Sequence, residues 1–129
     1  MVKVFGRVSE SNLKGVHPDL VRVMRRALTL LPADLDFRVT EGLRTLERQK
    51  QLKRQGATRT LNSRHITGHA VDVFVLVKGV GTWDFKQYKR LAGFVKEAAK
   101  LEKVPIVWGG DWITFKDGPH FELSRKVYR

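Results

Sequence analysis

The stretch from His69 to Val77, "HAVDVFVLV", constrains this chain more than any other. It is rich in β-branched residues and ends before Lys78-Gly79, so it reads as a strand. One carboxylate, Asp72, interrupts an otherwise apolar run. A carboxylate in such a place is costly unless it is paired or bound to a metal. Whatever this strand packs into must therefore answer for Asp72.

The flanking segments supply helices and shorter strands. In "GVHPDLVRVMRRALTLL", Pro18 suits a first helical turn and Asp19 its positive end. Leu20, Val23, Met24, Ala27 and Leu28 then form an apolar stripe at helical spacing. "DFRVTEGLR" alternates like a short strand. "TLERQKQLKRQG" reads as a polar helix, with Thr45 as N-cap and Gly56 as stop. "ATRTLNSRHITG" reads as a loop. "TWDFKQYKRLAGFVKEAAKLEK" is a second long helix, capped by Asp84, with Phe85, Tyr88, Ala92, Val95 and Ala99 on one face. "VPIVWGGDW" is a short strand entering a glycine turn, and "GPHFELS" is a final strand. The sum predicts an α+β fold, with two main helices packed on a small, mainly antiparallel sheet.

The totals narrow the class. The 129 residues suit one domain, 1–129, with no linker and no second domain. Hydrophobic residues at 42% are enough for one ordinary core. No run of about 18 apolar residues is present, so no membrane span is expected. "MVKVFGRVSE" lacks the apolar region of a secretory signal. There is no cysteine, so a zinc site would have to use histidine and carboxylate ligands. Lys+Arg is 25 against Asp+Glu 13, a net charge of +12, which favours polyanions such as nucleic acid, anionic lipid or an acidic wall polymer. The basic residues are dispersed, and no stretch stands out as a DNA-reading helix or arm.

Four histidines occur: His17, His65, His69 and His120. His65 lies in the loop before the strand, seven positions from Asp72 with Gly68 between, so the two can meet where loop turns into strand. His120 sits in "DGPHFELS", again beside strand-forming residues. Two histidines and a carboxylate are a common catalytic zinc set that leaves a fourth position for water. Asp117, three residues before His120, places a carboxylate nearby as a candidate base. Taken alone it would be ordinary turn chemistry. Arg44, in "TEGLRT", is a candidate to hold a substrate carboxylate or an oxyanion.

These residues carry a resemblance. "SRHITGHAVD" fits Ser-x-His-x-x-Gly-x-Ala-x-Asp, and "DGPHFE" fits Asp-x-x-His followed by an aromatic. With "EGLRT" they resemble the zinc D-Ala-D-Ala carboxypeptidase and L-alanyl-D-glutamate peptidase family, which includes VanX, VanY and many phage endolysins. "NLKGVHPDLVRVMRRAL" and "TEGLRTLERQ" are more similar to the endolysin branch. The resemblance covers nearly the whole chain and implies a zinc D,D-peptidase or hedgehog-like fold. It implies that His65, Asp72 and His120 bind one Zn2+, that Asp117 is the catalytic base, and that Arg44 assists the substrate or transition state. Ser63 matches the motif's serine and is assigned a supporting hydrogen bond. Trp108 and Trp112, flanking "GGD", are candidates to line the substrate cleft. His69 falls at a variable position of the motif, and His17 is expected to be structural.

The function expected is a phage endolysin, a monomeric zinc endopeptidase cutting the L-Ala–D-Glu bond of peptidoglycan stem peptides. It would wait in the host cytoplasm until lysis and then act in the periplasm on the wall, with electrostatic contact to the anionic envelope. A D-Ala-D-Ala carboxypeptidase is the alternative enzyme, sharing the metal site. A basic nucleic-acid-binding protein and a catalytically dead wall-binding module are more distant readings.

Overall fold

The computed structural model describes residues 3–56 and 63–129. In chain order these form α1 (Arg7–Leu13), α2 (Pro18–Leu30), β1 (Leu35–Glu41), α3 (Leu46–Arg54), β2 (Ala70–Val77), β3 (Val80–Thr82), α4 (Phe85–Glu102), β4 (Ile106–Trp108) and β5 (His120–Leu123). A short 3-10 turn, Gly109–Asp111, follows β4. Part of the expected loop, residues 57–62, lies outside the described residues.

The sheet is antiparallel and runs β1-β2-β5-β4, with β3 paired to the far half of β2. Side chains alternate across a strand, and this sorts the sheet into two faces. Leu35, Phe37 and Val39 of β1, Val71, Val73 and Val75 of β2, and Phe121 and Leu123 of β5 turn toward one side. There they join Leu20, Val23, Met24 and Ala27 of α2 and Tyr88, Leu91, Val95 and Ala98 of α4 in a single core. Each large aliphatic or aromatic side chain fully buried there contributes about 1.5–3 kcal/mol.

Asp72 belongs to the opposite face. It does not interrupt the apolar face of β2; it is the polar member of a period-2 pattern. In register it faces His120, and Ala70 faces Glu122. Directly opposed residues share a face, so the sheet itself sets His120 beside Asp72.

The helices begin as their sequences require. Thr45 caps α3 by accepting from Arg48 N, and Asp84 caps α4 by accepting from Lys86 N. At α2 the cap is His17, whose Nδ1 accepts from Asp19 N. Helix α1 and strand β3 were absent from the sequence-based expectation. Helix α1 has only seven residues and little apolar periodicity. It is held instead by side chains that seal the edge of β1, with Ser9 accepting from Val39 N and Asn12 donating to Val39 O. Covering an edge strand in this way prevents unwanted pairing. No helix of the described residues is long and apolar enough to cross a membrane.

Candidate metal and catalytic site

The loop carrying His65 closes onto the sheet through one glycine. Gly68 has φ +75°, and a Cβ there would run into the Gly15 backbone. Its carbonyl accepts from His17 N at 2.8 Å, tying the loop to the start of α2. A side chain at this position would break both the turn and the contact. Within the loop, Ser63 Oγ accepts from His65 N at 3.2 Å, so the motif's serine shapes the backbone just before the histidine.

Three side chains converge. His65 Nε2 and His120 Nδ1 each lie 3.3 Å from Asp72 Oδ1. Among the described residues, His65, Asp72 and His120 form a group whose ligand atoms all lie within 4.8 Å of one another. The remaining ring nitrogens are engaged behind them. His65 Nδ1 donates to Gly42 O at 2.9 Å, and His120 Nε2 donates to Glu122 Oε1 at 2.8 Å. Each bond fixes a tautomer and aims the other nitrogen's lone pair at the same point. His65 is 2% exposed, and its Nε2 is buried with no hydrogen-bond partner. A buried, unsatisfied imidazole nitrogen is expensive. Two imidazoles, one with an unsatisfied nitrogen, and a carboxylate suit a divalent transition metal.

The electrostatics agree. Burial opposes ionisation of Asp72, but the His120 and His65 rings beside it outweigh that and hold its carboxyl well below the ordinary range. Burial also opposes charging His120, yet Asp72 and Glu122 push its pKa up to about 9. Asp72 and Glu122 thus favour positive charge at this ring, the charge that a bound cation would supply. Glu122 is itself held ionised: burial opposes it, and the His120 hydrogen bond more than compensates, with Arg125 and Arg64 nearby.

Asp117 reaches the site from a pinned turn. Its N–H donates to Gly109 O at 3.0 Å, and its carbonyl accepts from His120 N at 3.1 Å. A Cβ on Gly109 would collide with the Asp117 carbonyl, so the glycine turn is what lets this loop close. Burial, and then the charge of Asp72, push the Asp117 carboxyl above the ordinary range. Such a shift moves a carboxylate toward the range useful for a base near neutral pH.

Arg44 is buried under the set. Its guanidinium meets Glu41 Oε1 and Gln49 Oε1, both at 2.6 Å, and comes within 3.6 Å of Asp72 Oδ2 and 3.5 Å of Ser63 Oγ. Its backbone N–H donates to His65 O at 2.8 Å. Arg44 thus links the strand end, α3 and the histidine loop while bracing Asp72.

The two tryptophans part company. Trp112 is half-buried with its ring 5.0 Å from that of His120, beside the set. Trp108 pairs with Phe121 across β4 and β5, and that register turns it to the core face. It is 3% exposed and donates from its indole nitrogen to Gly118 O at 2.7 Å, so it supports the Asp117 turn from below rather than lining a cleft. His17 and His69 stand apart from the three-residue set.

Glu122, Glu41 and Gln49 also take part in the site, though no sequence motif marks them. For Glu122 the signal was present, because two residues after His120 on a strand is the same face. For Gln49, a polar residue in a polar helix gave none.

The model for the family described as phage L-alanyl-D-glutamate peptidase matches residues 1–128. The chain belongs to that family. The L-alanyl-D-glutamate peptidase of Escherichia phage T5 is 33% identical over 128 residues, covering 96% of this chain and 91% of that relative. The corresponding peptidase of Listeria phage A118 is 37% identical over 94 residues, which is 73% of this chain. The aligned part makes up 32% of that relative, so the chain spans about a third of its length. The crystal structure of the Serratia marcescens L-Ala D-Glu endopeptidase ChiX superposes with a TM-score of 0.87. It is 48% identical and covers 96% of this chain and 92% of that one.

Proposed function

We propose that this protein is a zinc-dependent endopeptidase of the endolysin kind, cutting the L-Ala–D-Glu bond of peptidoglycan stem peptides. Membership in the L-alanyl-D-glutamate peptidase family supports the substrate. The observation that carries the chemistry is the convergence of His65 Nε2 and His120 Nδ1 on Asp72, with the His65 nitrogen unsatisfied. His65, Asp72 and His120 would hold the metal. Zinc held there would supply a Lewis acid able to acidify water and polarise a carbonyl.

The chain's own residues do the rest. Asp117 takes a proton from the attacking water on a carboxylate oxygen as the water oxygen bonds to the alanyl carbonyl carbon. It then delivers that proton to the glutamyl nitrogen as the C–N bond breaks. Arg44, fixed by Glu41 and Gln49, keeps Asp72 turned toward the histidines and assists the substrate from that position. Ser63 sets the loop geometry. Trp112 forms a wall beside His120. The +12 charge brings the enzyme to an anionic wall and envelope by long-range attraction. Acting as a monomer and as one catalytic domain, it would reach the wall from the host cytoplasm at lysis.

Mass spectrometry of purified peptidoglycan, digested with and without a zinc chelator, tests this reading. New amino termini on D-Glu, lost on chelation and restored by zinc, are expected. Release of free D-Ala instead would make the protein a carboxypeptidase with the same site.

A further inference from the structure

Trp83 is 70% exposed, unusual for so large an apolar ring. It is not loose. Its ring centroid lies 4.8 Å from that of Phe74 and 6.0 Å from that of Tyr88, with the latter pair parallel within 3°. Tyr88 is in turn fixed, its hydroxyl donating to Thr82 O and accepting from Val75 N. The neighbouring Asp84 turns to cap α4. Trp83 is therefore an ordered ring with an open side.

Its position relates it to the site. Phe74 is two residues along β2 from Asp72, hence on the same face of the sheet and about 7 Å away. Gly81 of β3 leaves the space that the Phe74 ring occupies. Strand β3 runs from there toward the Asp117 turn, where Gly118 lies against Tyr88 and Phe85. Phe74 and Trp83 thus make an aromatic shelf beside the catalytic face on the side of Asp117, while Phe85 stacks on the core-facing Trp108.

We propose that this shelf is a saccharide subsite, with Trp83 stacking on the pyranose ring attached to the stem peptide. This rests on the endopeptidase reading above. In such a substrate the scissile bond is one residue from the lactyl ether of the amino sugar. A sugar must therefore lie within about 10 Å of the metal set, the reach of two or three extended residues. The peptide beyond the cut carries carboxylates and an amine, which call for ion pairs. The shelf offers flat ring carbon instead. Among the substrate's parts, the C–H face of a pyranose matches that chemistry, and aromatic rings are the usual apolar walls of ligand sites.

The test compares two substrates: the free L-Ala-γ-D-Glu-diamino-acid peptide, and the same peptide with N-acetylmuramic acid on its amino end. The wild-type enzyme should show a kcat/KM higher by about three- to tenfold for the sugar-bearing peptide, the scale of one good aromatic contact. In Trp83→Ala the ratio of the two values should fall to near one, and Trp83→Phe should keep part of it. A wild-type ratio of one overturns the subsite without any variant. So does a ratio that survives in Trp83→Ala. Cleavage of neither substrate by the wild type would defeat the endopeptidase reading itself.

Discussion

The protein holds two pairs of histidines, and only one converges on a carboxylate. The His65 and His120 rings stand 5.2 Å apart, and those of His17 and His69 stand 5.7 Å apart. Proximity does not separate them. The difference lies in what the nitrogens do. In the first pair the outer nitrogens are bound to Gly42 and Glu122, and the inner ones face a shared carboxylate. In the second pair, His17 Nδ1 caps α2, and His69 Nδ1 meets Thr67 Oγ1 at 2.6 Å. Tyr128 packs edge-on against His17, and its hydroxyl donates to Asp19, so that region ties the C-terminal segment to α2. A histidine pair suits a metal when its back is braced and its front shares an anion.

The sharpest way to break the comparison is to remove the shared anion. Asp72→Asn keeps the shape and deletes the charge. Zinc affinity should fall beyond the roughly 10–100-fold typical of losing a supporting partner, and activity should vanish with it. Titration against a competing chelator reads the first effect. Retained tight binding would mean the histidines suffice and the second pair deserves the same standing.

Asp117→Ala comes next. Activity should drop by about 10²–10⁴, the usual range for a positioned acid–base group, while zinc binding stays close to wild type. Loss of metal together with activity would move Asp117 from base to structural support.

Glu122→Ala tests the bracing of the first pair. Freed from Glu122, the His120 ring can turn, and zinc affinity should weaken by about 10–100-fold. Glu122→Gln keeps an acceptor for the His120 Nε2–H and should recover part of the loss. Equal affinity in all three proteins would show that the sheet alone orients His120.

What the sequence could reveal divides along the same physical line. His65, Asp72 and His120 are legible because each answers a local puzzle: a carboxylate in an apolar strand, and histidines at bends and strand starts. The long helices α2 and α4 are legible from apolar spacing, and the caps Thr45 and Asp84 from their side-chain chemistry. Helix α1 and strand β3 are not, because tertiary bonds to β1 and β2 hold them rather than their own pattern. Trp108 illustrates a second limit. Its distance in sequence from the site is short, but which face it takes depends on the register of β4 against β5. A slip of one residue would have put it on the other face. Gln49 and Glu41 matter through contacts with a buried guanidinium, and no local spacing announces those.

The smallest effect belongs to the second pair. His17→Ala removes the side chain that accepts from Asp19 N at the start of α2. A lost N-cap costs about 1 kcal/mol, or about 3 °C in Tm for a domain of this size. His17→Asn supplies a better capping side chain and should restore that stability. In both variants zinc affinity should match the wild type, because neither nitrogen of His17 faces the Asp72 carboxylate. If instead His17→Ala weakened zinc binding and His17→Asn failed to restore it, the packing of the His17 ring against His69 would be part of the metal site. The two pairs would then be one coupled structure rather than a site and a clasp.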